Sequence, residues 1–511
     1  MLVLIVRQEA QAGGIPSFRS AGISRAYGSV LGIAKKRPEH EQGGTSCSLK
    51  NNRISPRPFK PTSDQWLSYL ALNNPGFSFT YQKSTMDKRS IVQQYRPELA
   101  PFEEIYRDIH RNPELSLQEV RTAALVVEFL ESLGGYRVIK GIGGHGVVGI
   151  LENGSGATVL LRADMDALPH LENTNLEYAS TKIVKDSDGK ETPVMHACGH
   201  DMHTAVLLAD AKMLLDAKSE WSGTLVVLFQ PAEELAVGAR AMIEDGLYDT
   251  SRFAVPKPDI VLGQHTHAFK AGMVALGGGA ILTAVDSFDV RIFGKSGHIC
   301  RADLCVDPVV TASHIVVRLQ SIVTKEVRPE EFAVIGCASI HGGSTANIIP
   351  DFVDLKISIR SYNPSIHERL VAAVKRVVYS ECEISGSLAI REPEFTTTMH
   401  APPTVNDFPA AEILKKSFGE YFGKNLIPAD PFGASEDFSY LALGCDAPYV
   451  FYNFGCVDED TWEDAKTKGT MESIPHNHSA FFAPKIQPTM TTAVDAFALA
   501  ALTFFDRGGV K

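Results

Sequence analysis

The sequence predicts an α/β protein. A mostly parallel sheet covered by helices is interrupted by a smaller, ferredoxin-like α+β insertion. Three observations predict this. Between about Pro97 and Asp286, continuous apolar runs such as "ATVLLRADMD", "GTLVVLFQP" and "DIVLGQHTH" alternate with helical segments, as strands buried on both faces do. Near Asp286 the pattern becomes strict alternation, "SFDVRIFGKSG", which marks a strand with one wet face. From about Thr397 helices and a buried strand, "APYVFYNFG", return, so the middle segment reads as an insertion into one domain.

The elements follow in order. Residues 1–90 are expected to form a disordered extension: "AKKRPEHEQGGTSCSLKNNRISPRPFKP" is basic, rich in Gly, Pro and Ser, and lacks apolar periodicity. A poorly ordered extension, or an upstream reading of a chain that starts at Met86, is preferred over a mitochondrial presequence. The first core segment covers 91–283, the insertion 284–396 and the second core segment 397–511. "PFEEIYRDIHRNPELSLQEVRTAALVVEFLESLG" reads as two helices broken at Asn112-Pro113, because proline disfavours helix in the residue before it. "GVVGILENG" is a strand. "DMHTAVLLADAKMLLDAK" is a helix with Asp201 suited to its N-cap, and "AVGARAMIEDGL" is another helix. Within the insertion the order is β-α-β-β-α. "QPTMTTAVDAFALAALTFF" closes the chain as a helix.

Composition sets limits. A formal net charge of -11 argues against general nucleic-acid binding, which needs a basic face. No apolar run of about 18 residues stands out, so no membrane span is expected. Eight cysteines without a CxxC pair fit a reducing compartment. The expected location is cytoplasmic, or mitochondrial if the extension is a presequence.

In a doubly wound sheet, ligands collect beyond the carboxyl ends of the strands. The predicted strand ends carry Asp164 and Asp166, Glu233 and Glu234, and His265 and His267; His476 and His478 follow the last strand after a loop, and "HACGHD" precedes a helix. Singly, each has an ordinary reading as a surface histidine, a turn aspartate, a helix-dipole glutamate or an inert buried thiol. Together, cysteine, histidine and carboxylate are the donors a borderline-soft divalent metal takes.

The motifs "LRADMDALP", "HACGHDMHTA", "FQPAEE", "GQH", "STANIIPD", "SIR", "GASEDFSY" and "NHSAFF", in that order over about residues 97–506, resemble those of the aminoacylase and carboxypeptidase-like dinuclear metallohydrolases. The nearest branch is metallopeptidase family twenty, subfamily D, which includes hippurate hydrolases and auxin-conjugate hydrolases. The resemblance implies a zinc-peptidase-like catalytic domain interrupted by a lid and dimerisation domain. It implies Cys198, His200, Glu234, His265 and His478 as ligands of two divalent ions, zinc or manganese, with cobalt also suited. Glu233 is implied as general base, and His298 as a lid histidine that reaches the partner subunit's site. Asn347 and Arg360 are implied to hold a substrate carboxylate, Gly433 to make a backbone contact near the substrate, and Asp164 and Asp166 to support the metal ligands. On this reading the helix starts after Asp201, His203 in its first turn packs rather than ligates, and His196 is no ligand. The implied partners are a small N-acyl amino acid or peptide-like substrate and a second copy of the chain, with no nucleic acid and no membrane. The implied activity is hydrolysis of the substrate's amide bond.

One departure stands beside His298. "GHICRADLCVDP" has Ala302 and Asp303 where the branch usually has Pro and His, which bears on substrate preference more than on metal binding. Two other functions compete: a thiol hydrolase using Cys198, which would keep working in excess chelator, and a metal-binding protein without catalysis, against which the retained Glu233 counts.

Overall fold

The computed structural model describes residues 5–8, 77–80, 87–185 and 189–510. The chain divides into Met1–Thr85 and Met86–Lys511. In the first unit the strands Ile5–Gln8 and Phe77–Thr80 pair antiparallel, with Ile5 opposite Thr80. The expectation of disorder over 1–90 otherwise falls largely outside the described residues. It ends too late, because Lys88–Tyr95 is already a helix, with the Asp87 side chain capping it through the Ser90 amide.

The second unit is built on an eight-stranded sheet. Its order is Leu426–Pro428, Val274–Leu276, Tyr449–Val457, Ile260–Lys270, Thr158–Asp164, Gly223–Gln230, Gly146–Asn153 and Arg137–Ile142. The four central strands, from Tyr449–Val457 to Gly223–Gln230, run parallel. Antiparallel pairing is confined to the flanks, where Val274–Leu276 meets Tyr449–Val457 and where the last three strands follow one another. Successive side chains point to opposite faces. Val159 and Leu161 therefore pack with Val126, Met202 and Phe497 on one face. Leu160 packs with Met242, Leu441 and Phe451 on the other. Both faces are covered, which is why these strands read as unbroken apolar runs.

Helices Ala100–Arg111 and Val120–Ser132 part at Asn112-Pro113, where the proline stops the first. The closing helix Ile486–Arg507 is long and apolar enough to cross a membrane by length and composition, although its sequence did not stand out as such a run; 89% of its apolar window is buried inside the protein, so it is a core helix. Burying each of Phe497, Leu499 and Phe504 contributes about 1.5–3 kcal/mol.

The helix that carries His200 starts earlier than the sequence suggested. It runs His200–Asp216, and its N-cap is Gly199 at φ 89°. A side chain there would meet Thr266 Oγ1 at 2.5 Å, so both the left-handed backbone and the close approach require glycine. Asp201 therefore lies inside the first turn and is not the cap. Its carboxylate accepts from the Met202 amide at 2.9 Å and meets His110 Nδ1 at 2.6 Å.

The insertion is a four-stranded antiparallel sheet in the order Ala333–His341, Phe352–Ser361, Ala284–Phe293, Glu394–Ala401. Helices Pro308–Glu326 and Pro364–Ile384 cover one face through Ile315, Leu319, Leu370 and Val374, packed on Val290 and Ile357. The fourth strand was not read from the sequence and carries the insertion past residue 396. "EFTTTMHA" hid because it is an edge strand with mostly exposed positions, so burial leaves little alternation in it.

Candidate metal centre

The parallel strands end on one edge of the sheet, and the chemistry gathers there. Thr158–Asp164 delivers Asp164, the turn after Gly223–Gln230 delivers Glu233 and Glu234, and Ile260–Lys270 carries His265. Cys198 precedes Gly199. His478 arrives from the segment after the last strand, its left-handed backbone at φ 68° fixed by its amide donating to Ala197 O at 2.7 Å.

The hydrogen bonds set which imidazole nitrogens are free. His265 Nδ1 donates to Thr266 O at 2.6 Å, and His200 Nδ1 donates to Asp166 O at 2.9 Å. Each thereby keeps its Nε2 lone pair for another partner. His203 differs. Its Nδ1 meets Asp164 Oδ1 at 2.6 Å and its Nε2 accepts from the Thr266 amide at 2.8 Å, so neither nitrogen is left for a metal. His196 is buried with neither nitrogen hydrogen-bonded, and burial pulls it down to about 4.

The five expected ligands converge. Cys198 Sγ is 3.4 Å from His265 Nε2, and His478 Nε2 is 3.3 Å from Glu234 Oε2. His200 Nε2 is 3.8 Å from Glu234 Oε1. Two donors about 2.1 Å from one cation at a tetrahedral angle lie about 3.4 Å apart, and the three pairs here span 3.3 to 3.8 Å. His200 Nε2 and Glu234 Oε1 are buried without a hydrogen-bond partner, a costly state that a cation would relieve. The donor set thus fits a divalent metal. Burial, then Glu234, pushes the Cys198 thiol up, the opposite of what an attacking thiolate needs.

Behind these five residues lies a buried charge network whose Arg162, Glu436 and Asp437 sequence reasoning missed. Glu233 Oε2 is 3.8 Å from His200 Nε2, and Glu233 clusters with Glu436 and Asp437. Arg162, wholly buried, binds Asp164 at 2.6 Å, Glu436 at 2.7 Å and Gln230 at 2.8 Å. One guanidinium thus faces Asp164, Glu436, Asp437 and Glu233, and this excess of carboxylate also suits cations. Burial, with Glu436 and Glu234, holds the Glu233 carboxyl well above its usual range, and burial with Glu436 pushes Asp437 up to about 8. The signals were a lone arginine in the apolar run "TVLLRAD" and the acidic pair in "GASEDFSY". Asp166 takes a supporting position: its Oδ2 accepts from the Glu234 amide at 3.0 Å and from Ser116 at 2.7 Å.

The expected substrate-side residues fall into two groups. Arg360 and Gly433 meet: Arg360 Nη1 donates to Gly433 O at 2.9 Å and to Ser435 Oγ at 3.0 Å. His298 and Asn347 lie on the exposed surface of the insertion, next to each other, where Gly297–His298 pairs with Ile348–Ile349 and the Ile299 amide bonds Asn347 O at 3.1 Å. Among the described residues neither touches the five expected ligands. His298 Nδ1 accepts from the Cys300 amide at 3.2 Å. Ala302 and Asp303 lie in the following turn, where Asp303 is held by Arg301 at 3.0 Å.

The family model for peptidase family M20/M25/M40 matches residues 160–481. A hippurate hydrolase of Campylobacter jejuni is 38% identical over 358 residues, covering 68% of this chain and 87% of that protein. The IAA-amino acid hydrolase ILR1-like 4 of Arabidopsis thaliana is 34% identical over 350 residues, 68% of this chain and 76% of that one. Among solved structures, a dinuclear metal binding peptidase from the M20 family of Bacillus subtilis is similar with a TM-score of 0.62 at 25% identity, over 81% of this chain and 99% of that one.

Proposed function

The chain belongs to peptidase family M20/M25/M40, and on that premise we propose that it is a metal-dependent amidohydrolase that cleaves the amide of N-acyl amino acids or related conjugates bearing a free carboxylate. The observation that carries this reading is the clustering of Cys198, His200, Glu234, His265 and His478 around the orphaned His200 Nε2 and Glu234 Oε1, with Glu233 alongside. The named substrates of the two hydrolase relatives, hippurate and IAA-amino acids, pair an acyl group with an amino acid.

The five ligands are assigned to two divalent ions, zinc or manganese, with cobalt suited to the same donors. Bound there, such ions make water more acidic and polarise an amide carbonyl. Glu233 takes the proton of the attacking water on its carboxylate and hands it to the amide nitrogen, so the amine leaves uncharged. Arg360 binds the substrate carboxylate with the Nε and Nη2 edge of its guanidinium, since Nη1 is occupied by Gly433 and Ser435. Asn347, next to His298 on the insertion surface, adds a second bond to that carboxylate from a second copy of the chain. His298, exposed on its own chain, steadies the oxyanion in the site of a second copy, and the insertion carries the dimer contact.

The test is a panel of N-acyl amino acids given to the full chain with manganese or zinc. Hydrolysis of at least one member, abolished by excess chelator, is expected. No hydrolysis of any member with metal bound overturns the reading.

A further inference from the structure

Glu119 is fully buried, yet its carboxylate does no work for the helix it begins. The free amides at the start of Val120–Ser132 are taken by Glu114, which accepts from Arg121 N at 3.0 Å and Thr122 N at 2.9 Å. Glu119 Oε1 instead accepts from the Leu117 amide at 2.9 Å and, across the fold, from the Ala232 amide at 2.8 Å. Its Oε2 is buried without a partner. An apolar side chain would avoid that desolvation cost, so the acceptor at Ala232 is the reason a carboxyl suits this place.

Ala232 immediately precedes Glu233. Its φ of 49° is left-handed, a backbone that costs a non-glycine residue about 1–2 kcal/mol and must be held by its surroundings. The turn closes on itself, with the Ala236 amide on Glu233 O at 2.6 Å and the Gly238 amide on Ala232 O at 3.1 Å. The Glu234 amide is gripped separately by Asp166 at 3.0 Å. Two carboxylates from different elements thus hold one turn: Asp166 at the metal ligand, Glu119 at the peptide that aims its neighbour.

We propose that Glu119 is a positioning residue for the general base: its Oε1 holds the left-handed Ala232 peptide and thereby aims Glu233 at the site, without acting on the metal ligands. The proposal rests on the assignment of Glu233 above. Only the acceptor is needed. Burial, with the Asp166 charge, pushes the Glu119 carboxyl up to about 7, so a neutral side chain with the same oxygen serves equally.

The test compares E119Q, E119A and E119D with the unaltered full chain, loaded with manganese. The readouts are kcat and KM on the best-hydrolysed N-acyl amino acid, metal bound per chain, and thermal midpoint. A misplacement of about 1 Å costs about 10²-fold. E119A is expected to lose about 10²-fold in kcat, with KM within about threefold and metal content unchanged, while E119Q stays within about threefold of the unaltered kcat. E119D, whose carboxyl is withdrawn by one methylene, is read by the E119A criterion, and it alone decides if E119A does not fold. An alanine or aspartate variant with near-normal kcat overturns the proposal. So does a loss of metal that parallels the loss of activity, or an E119Q as damaged as E119A. An unaltered chain that hydrolyses nothing with metal bound strikes the amidohydrolase reading, and this inference with it.

Discussion

Arg360 is a half-buried guanidinium for which no carboxylate partner is found among the described residues. Gly433 O and Ser435 Oγ occupy its Nη1, and burial pulls its pKa down with no anion to restore it. A substrate carboxylate would supply the missing charge. Arg360→Met removes that partner while keeping the length of the stem. Hydrogen bonds to a charged group contribute about 1.5–3 kcal/mol. At about 1.36 kcal/mol per factor of ten, the loss in kcat/KM is about 10- to 150-fold. Arg360→Lys should recover part of it, since the charge returns but the planar fork does not. The assay is a cycle: kcat/KM of both proteins on an N-acyl amino acid and on its carboxamide, which lacks the negative charge. The variant should lose activity on the acid and almost none on the carboxamide. Equal losses on both substrates, or none on either, would refute the assignment.

Two further outcomes follow from buried charge pairs. Arg162→Met strands Asp164, Glu436 and Asp437 without their guanidinium, so unfolding in urea should show a loss of about 3–5 kcal/mol; an unchanged midpoint would mean that the carboxylates are neutralised some other way. His110 is buried between Asp201 and Glu172. Burial alone would lower it, but those two bonds outweigh burial and bring it up to about 9, against 6.5 for an ordinary histidine. Its stabilisation is therefore complete below pH 6.5 and fades as pH rises through about 9. His110→Gln should flatten the fall in stability across that window, and an identical slope in the variant would contradict the pairing.

The fold was legible where burial on two faces wrote itself into composition. The central strands are apolar throughout because helices cover both sides, and the chemistry at their ends follows from parallel topology. The candidate site motifs were legible because Cys198 and His200, or Glu233 and Glu234, sit close together in the chain. What stayed hidden depends on partners far apart. Arg162 and Glu436 meet across 274 positions, and neither predicts the other. The cap of the helix at His200 was misassigned because Asp201 has an N-cap side chain, whereas Gly199 is selected by a left-handed backbone and by contact with Thr266. The last strand of the insertion lacked a pattern because an edge buries too little to impose one.

The central claim is that Glu233 moves the proton while Cys198, His200, Glu234, His265 and His478 hold the metal. Glu233→Gln separates these roles, because glutamine keeps the shape and removes the proton acceptor. With metal content and turnover measured on the same preparation, the variant should bind as many divalent ions as the unaltered chain and lose about 10²–10⁴-fold in kcat. Turnover that survives in the fully loaded variant would contradict the account.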